Sequence, residues 1–117
     1  MSALDLWSEI CETKRLLDLA LSEAKSRGWK MNEAEANYYT VKDLRVRELL
    51  DENKSGTVIQ MLIKGEHEVN AAMKDFHDKQ VEYKNACEAI NVYKKWLDTL
   101  REQYQREWGQ AGREHYD

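Results

Sequence analysis

The side chains best able to hold a metal or move a proton are few in this sequence, and their spacing suits neither task. His67 and His77 stand ten residues apart, nearly three turns of a straight helix, too far for one ion to bridge. Cys11 and Cys87 form no CxxC pair and share no zinc-ligand spacing with a histidine. Glu66 and Glu68 suit the positive end of a helix dipole, and Glu33 and Glu35 suit a cap. Asp43 with Arg47 is an attractive surface spacing and Glu48 with Glu52 a repulsive one. The chain carries no glycine-rich phosphate loop, HExxH pair, nucleophile elbow or calcium loop. We therefore assign no catalytic, metal or cofactor-binding residue, and an enzyme is not expected.

The one uneven feature is charge. Between Lys25 and Arg47 the six bases Lys25, Arg27, Lys30, Lys42, Arg45 and Arg47 face three acids, whereas the first 24 residues hold five acids and two bases. Trp29, Tyr38 and Tyr39 interleave with those cations, and Lys94 and Lys95 belong to the same candidate surface if the chain folds back on itself. Cations that track phosphates, with aromatics that stack bases, are what single-strand binding uses. Against this, Tyr38, Tyr83 and Tyr93 fall on an apolar seam where packing is the simpler role. The net charge of −4 and pI near 5.4 also argue against a protein that coats nucleic acid.

Long helices must position these residues. Proline is absent, charged residues make up 34% of the chain and hydrophobic ones 42%, a balance that suits one ordered helical domain over residues 1–117. Steps of seven from Val69 meet Phe76, Tyr83, Ile90, Leu97 and Tyr104, with Ala72 or Met73, Ala86 or Cys87, Tyr93, Leu100 and Trp108 as companions. That seam predicts a helix from about Glu66 to Trp108, with Gly109 as its stop and 110–117 a frayed tail. In the first half the seam is Ile10, Leu17, Ala24, Met31 and Tyr38, with Leu6, Thr13, Ala20, Arg27, Ala34 and Val41 beside it. Ser2 with Asp5 forms a capping box. Because the heptad phase survives Gly28, one helix from about Ala3 to Asn53 is favoured, bent at Gly28; a break there, with Asn32 capping a second helix, is the alternative.

Between these runs, "NKSGTVIQMLIKGEHE" holds a Ser55-Gly56 turn, Thr57 as a cap, a short tip helix over 57–64 and Gly65 as its terminator. Ile59, Met61, Leu62 and Ile63 either close the core or form a docking patch. The expected fold is all-α: a long antiparallel, coiled-coil-like hairpin whose facing residue numbers sum to about 119. That register sets Met31 near Cys87 and Ile90, and Ile10 near Trp108, and it keeps Cys11 and Cys87 too far apart for a disulfide. Apolar residues off the seam (Trp7, Leu16, Leu21, Trp29, Tyr39, Leu49, Leu50, Val92 and Trp96) need a second partner, so a homo-oligomer is expected. "MSALDLWSEICETK" has acids where a secretory signal needs bases, and no apolar run would span a membrane. A reduced, cytoplasmic location follows as the expectation.

The stretches "EAEANYY", "SGTVIQMLIKGEHEV" and "EAINVYKKWLDTLREQYQREWG" resemble a family of small uncharacterised proteins of tailed phages and prophages of Gram-positive bacteria. The likeness covers roughly residues 28–109. It implies an accessory role in phage DNA metabolism, or in managing the host, within the cytoplasm of the infected cell, and it brings no catalytic residues. A more distant, architectural likeness is to the recombination mediator of T-even phages, a small helical-hairpin protein.

Three functions are consistent with these readings. The first is a non-enzymatic accessory protein of phage DNA recombination or replication that binds partner proteins, with single-stranded DNA as a further ligand. The second is an inhibitor of a host defence or replication protein, and the weakest is a coiled-coil part of the virion.

Overall fold

Three helices, α1 (Ala3–Asp51), α2 (Gly56–Ile63) and α3 (His67–Tyr116), make up the computed structural model, which describes residues 2–116, with side chains described as far as Gly109. Helix α1 passes through Gly28 without a break. A mid-helix glycine costs only about 1 kcal/mol against alanine, which the flanking heptads offset. Its start is the expected box. The Ser2 hydroxyl donates to the Asp5 carboxylate at 2.8 Å, and the Asp5 amide donates back to Ser2 Oγ at 3.2 Å.

The helix ends at Asp51, short of the expected Asn53, because Asn53 turns left-handed at φ 61°. The Asn53 amide then donates to the Leu50 carbonyl and the Lys54 amide to that of Leu49. This is a Schellman ending with asparagine in the place glycine usually takes. Ser55, not Thr57, caps α2: its side chain accepts from the Val58 amide, and its carbonyl accepts from the Ile59 amide at 2.9 Å. Ile59 and Ile63, four apart, share the inward face of α2.

Helix α3 does not stop at Trp108 but continues through Gly109 to Tyr116. A glycine ends a helix by turning left-handed, and no glycine among the described residues has positive φ. Residues 110–116, expected as a frayed tail, belong to this helix, while side chains beyond Gly109 lie outside the described residues.

Helix α1 packs against α3 as a helical hairpin, and the packing separates into two units. The terminal unit joins residues 1–24 to residues 85–117. Its core is Leu6, Ile10, Leu97 and Leu100, with Leu17 and Tyr104 against it. Trp7 packs on Tyr104 with ring centroids 5.6 Å apart.

The tip unit spans residues 25–84. Here Leu49, Ile59, Ile63 and Val69 form the core, and Tyr38, Val41 and Val46 close around it. Leu49, a spare residue off the seam in the sequence, is 1% exposed because α2 covers it. Tyr38 stacks on Phe76 at 6.3 Å, and Arg45 reaches Glu66 at 3.0 Å.

The register differs from expectation. Facing pairs Trp7–Tyr104 in the terminal unit and Arg45–Glu66 in the tip unit each sum to 111, not 119. With Arg45 level with the start of α3, the last turn of α1 runs past that start. The two isoleucines of α2 fold over the overhang and bury Leu49. A chain reversal centred on the connecting segment would have no such overhang, which is why a sum of about 119 is too high.

Candidate functional site

The ten seam positions Ile10, Leu17, Met31, Tyr38, Val69, Phe76, Tyr83, Ile90, Leu97 and Tyr104 are all buried or half-buried. Alanines between them (Ala24, Ala34, Ala72 and Ala86) are buried as well. The seam residues therefore hold the helices together.

The basic stretch does not form one surface. At about 100° per residue, Lys25 and Arg47 fall within roughly 40° of each other, while Arg27 and Arg45 point about 200° away. The inward cations are engaged. Arg27 donates to the Glu82 carbonyl at 3.1 Å, and Lys42 stands 5.8 Å from the centre of the Tyr38 ring. Arg45 pairs with Glu48 at 2.9 Å and Glu66 at 3.0 Å, and hydrogen bonds to Glu48 and then Glu66 raise its pKa. Lys25, Lys30 and Arg47 are exposed, and so is Trp29. By the same helical count Asp43 shares the outer face of Lys25, Trp29 and Arg47, so that face is not a continuous cation track.

Lys94 and Lys95 belong to the terminal unit, whereas Lys25 to Arg47 lie in the tip unit.

The four tip residues divide two and two. Ile59 and Ile63 are core, whereas Met61 is 71% exposed and Leu62 is exposed beside it. Behind them lies an open groove of about 490 Å³ between the three helices of the tip unit. Its apolar lining includes Tyr38, Val46, Ile59 and Ile63, and Lys42 and Lys64 also line it. Lys64 and Val46 were not singled out by the sequence reading. The available signal was the four-residue step Tyr38, Lys42, Val46, which a heptad reading divides between seam and surface. A smaller apolar recess in the terminal unit lies among Leu4, Trp7, Tyr104 and Trp108.

The residues considered first for chemistry remain scattered. His67 and His77 are exposed, Cys11 and Cys87 are free thiols, and no group of three or more His, Cys, Asp or Glu among the described residues could hold a metal ion. No described helix is long and apolar enough to cross a membrane.

Comparison with protein-family models, curated proteins and solved structures found no match to this chain.

Proposed function

We propose that this chain is a non-enzymatic helical-hairpin accessory protein that works by protein–protein contact, in the setting of phage DNA recombination or replication that its sequence resemblance suggests. The observation that carries this reading is the contrast between two kinds of side chain. Arg27 and Arg45 are engaged within the tip unit, while large apolar side chains such as Trp29, Leu44, Met61 and Val92 face solvent. Exposed apolar surface favours a protein partner or another copy of the chain, whereas a phosphate backbone would need unengaged cations in a row. In the cytoplasm of an infected host, that partner would be a phage or host protein of DNA metabolism or defence.

The test is size-exclusion chromatography with light scattering, with and without a short single-stranded oligonucleotide at two salt concentrations, followed by capture from infected-cell lysate. The expected result is an oligomer or a captured protein that the double variant Trp29→Glu/Leu44→Glu loses, with no oligonucleotide taken up. Uptake that salt reverses, and that Lys25→Glu/Arg47→Glu abolishes, would overturn the reading in favour of DNA. So would a monomer that captures nothing.

Charge favours a second reading, inhibition of a host protein. The terminal unit holds seven basic and eleven acidic residues and the tip unit eleven of each, so the whole net charge of −4 belongs to the terminal unit. An acidic unit suits a basic surface such as that of a nuclease or replication factor. Capture of such a protein, lost as salt rises, would select this reading over the first.

A further inference from the structure

The groove of the tip unit has the shape and charge of a binding cleft. Helix α1 contributes Tyr38, Lys42 and Val46, every fourth residue, which makes a straight row about 12 Å long. Ile59 and Ile63 of α2 supply apolar surface beside that row, and stacking on Phe76 holds the Tyr38 ring in place. Lys42 and Lys64 are the charged lining residues. No carboxylate lines the groove, and neither lysine forms an ion pair among the described residues.

We propose that this groove seats an amphipathic helix of a partner protein whose apolar stripe is flanked by carboxylates. This rests on the reading of the chain as a protein-binding hairpin and names the partner's chemistry. Apolar anchors at i and i+7 of a helix stand about 10 Å apart, which matches the Tyr38–Val46 row. Packed there, a fourth helix would cover the exposed sides of the groove, and its acids would meet Lys42, midway along the row, and Lys64. A second copy of this chain is the poorer occupant. Among the described residues, its exposed large apolar side chains form pairs such as Leu4–Trp7 and Val92–Trp96 but no full row at i, i+3 or i+4, and i+7.

The probe is a fluorescent designed helix of about 18 residues, long enough to hold helical structure, with leucines at i, i+4 and i+7 flanked by glutamates. The control replaces each glutamate with lysine. Titrated with the full chain, the acidic helix should bind roughly tenfold tighter or better than the basic one, a preference that weakens as salt rises. Lys42→Glu/Lys64→Glu, with its helix content checked by circular dichroism, should reverse that preference. In the unaltered chain, the methyl resonances of Val46, Ile59 and Ile63 should shift on addition of the acidic helix. Equal binding of both helices, binding of neither, or a preference untouched by the double variant would overturn the proposal. Methyl shifts that depend on protein concentration without any peptide would assign the groove to a second copy instead. Because the double variant and the methyl shifts read the groove itself, their failure leaves partner capture by the outer apolar residues as a separate result.

Discussion

The ring of Tyr83 lies against the backbone of Gly28: a Cβ on residue 28 would stand 3.2 Å from Tyr83 Cε2 and 3.5 Å from Cδ2. Alanine at this position should gain about 1 kcal/mol of helix propensity, and the crowded ring should take most of it back. Gly28→Ala alone is thus expected to change stability by less than about 0.5 kcal/mol. In a Tyr83→Ala background the same change should stabilise by about 1 kcal/mol. Urea denaturation of the four proteins measures the coupling. An equal gain in both backgrounds would show that the ring does not explain the glycine.

Asn53 is a second backbone position with a local physical reason. At φ 61° it ends α1, and its amide bonds to the Leu50 carbonyl. Left-handed geometry costs an ordinary L-residue roughly 1–2 kcal/mol, asparagine less and glycine least. Asn53→Gly should leave stability unchanged or raise it slightly, and Asn53→Ala should lower it by about 1 kcal/mol. Thermal unfolding followed by circular dichroism separates them. If the alanine variant melts with the glycine variant, the turn does not depend on that backbone angle.

These two positions also show which parts of the fold the sequence could reveal. The heptads of Val69, Phe76 and Tyr83 are a repeating signal, so the long helices, their hairpin and the Ser2–Asp5 box were legible. Register was not, because it depends on how α2 covers Leu49, a contact between residues with no shared period. Gly109 read as a stop because glycine is common there, yet only a left-handed turn would end the helix. The basic stretch misled for a related reason. A count along the chain takes no account of direction, and the cations of Lys25 to Arg47 point around the helix, with Arg45 directed at Glu66. The groove lining draws on three helices at once, so no single stretch displays it.

Within the tip unit, burial separates neighbours that are alike in composition. Leu49 is 1% exposed under α2, whereas Met61, on α2 itself, faces solvent. Leu49→Ala should destabilise by about 2–5 kcal/mol through lost burial and the cavity it leaves. Met61→Ala should stay within about 0.5 kcal/mol. Hydrogen exchange should further show the α2 amides losing protection in the Leu49 variant and keeping it in the Met61 variant. Equal losses in both would mean that α2 does not pack through its isoleucine face.

Acid should loosen the start of α1 before the cores respond. Hydrogen bonds from Ser2, first from its side chain and then from its backbone, hold the Asp5 pKa below its ordinary 3.8. A carboxylate with a depressed native pKa adds stability above its unfolded pKa and loses it as pH falls through the native one. The contribution should therefore be complete near neutral pH and disappear as pH falls from about 3.8 through the lower native value. Carboxyl NMR titration of Asp5, alongside amide exchange in the first turn of α1, reads this directly. Ser2→Ala should return the Asp5 midpoint toward 3.8. A midpoint at or above that value in the unaltered chain would remove the capping box from the account.

Arg45 joins the end of α1 to the start of α3, since one guanidinium nitrogen meets Glu48 at 2.9 Å and the other meets Glu66 at 3.0 Å. Its Nε is buried without a partner, so the fork is directed entirely at the two carboxylates. Lysine is a point charge and cannot span both acids with one head group. Arg45→Lys should therefore lower the unfolding midpoint, and added salt should narrow the difference because both carboxylates are partly solvated. Arg15, more exposed and paired only to Glu12 three residues away, is the control: Arg15→Lys should shift the midpoint much less. If the two substitutions had equal effects, Arg45 would count as one more surface pair. If Arg45→Lys alone weakens protection of the first turn of α3, the Arg45–Glu66 bridge helps fix where the chain turns back, and with it the walls of the groove.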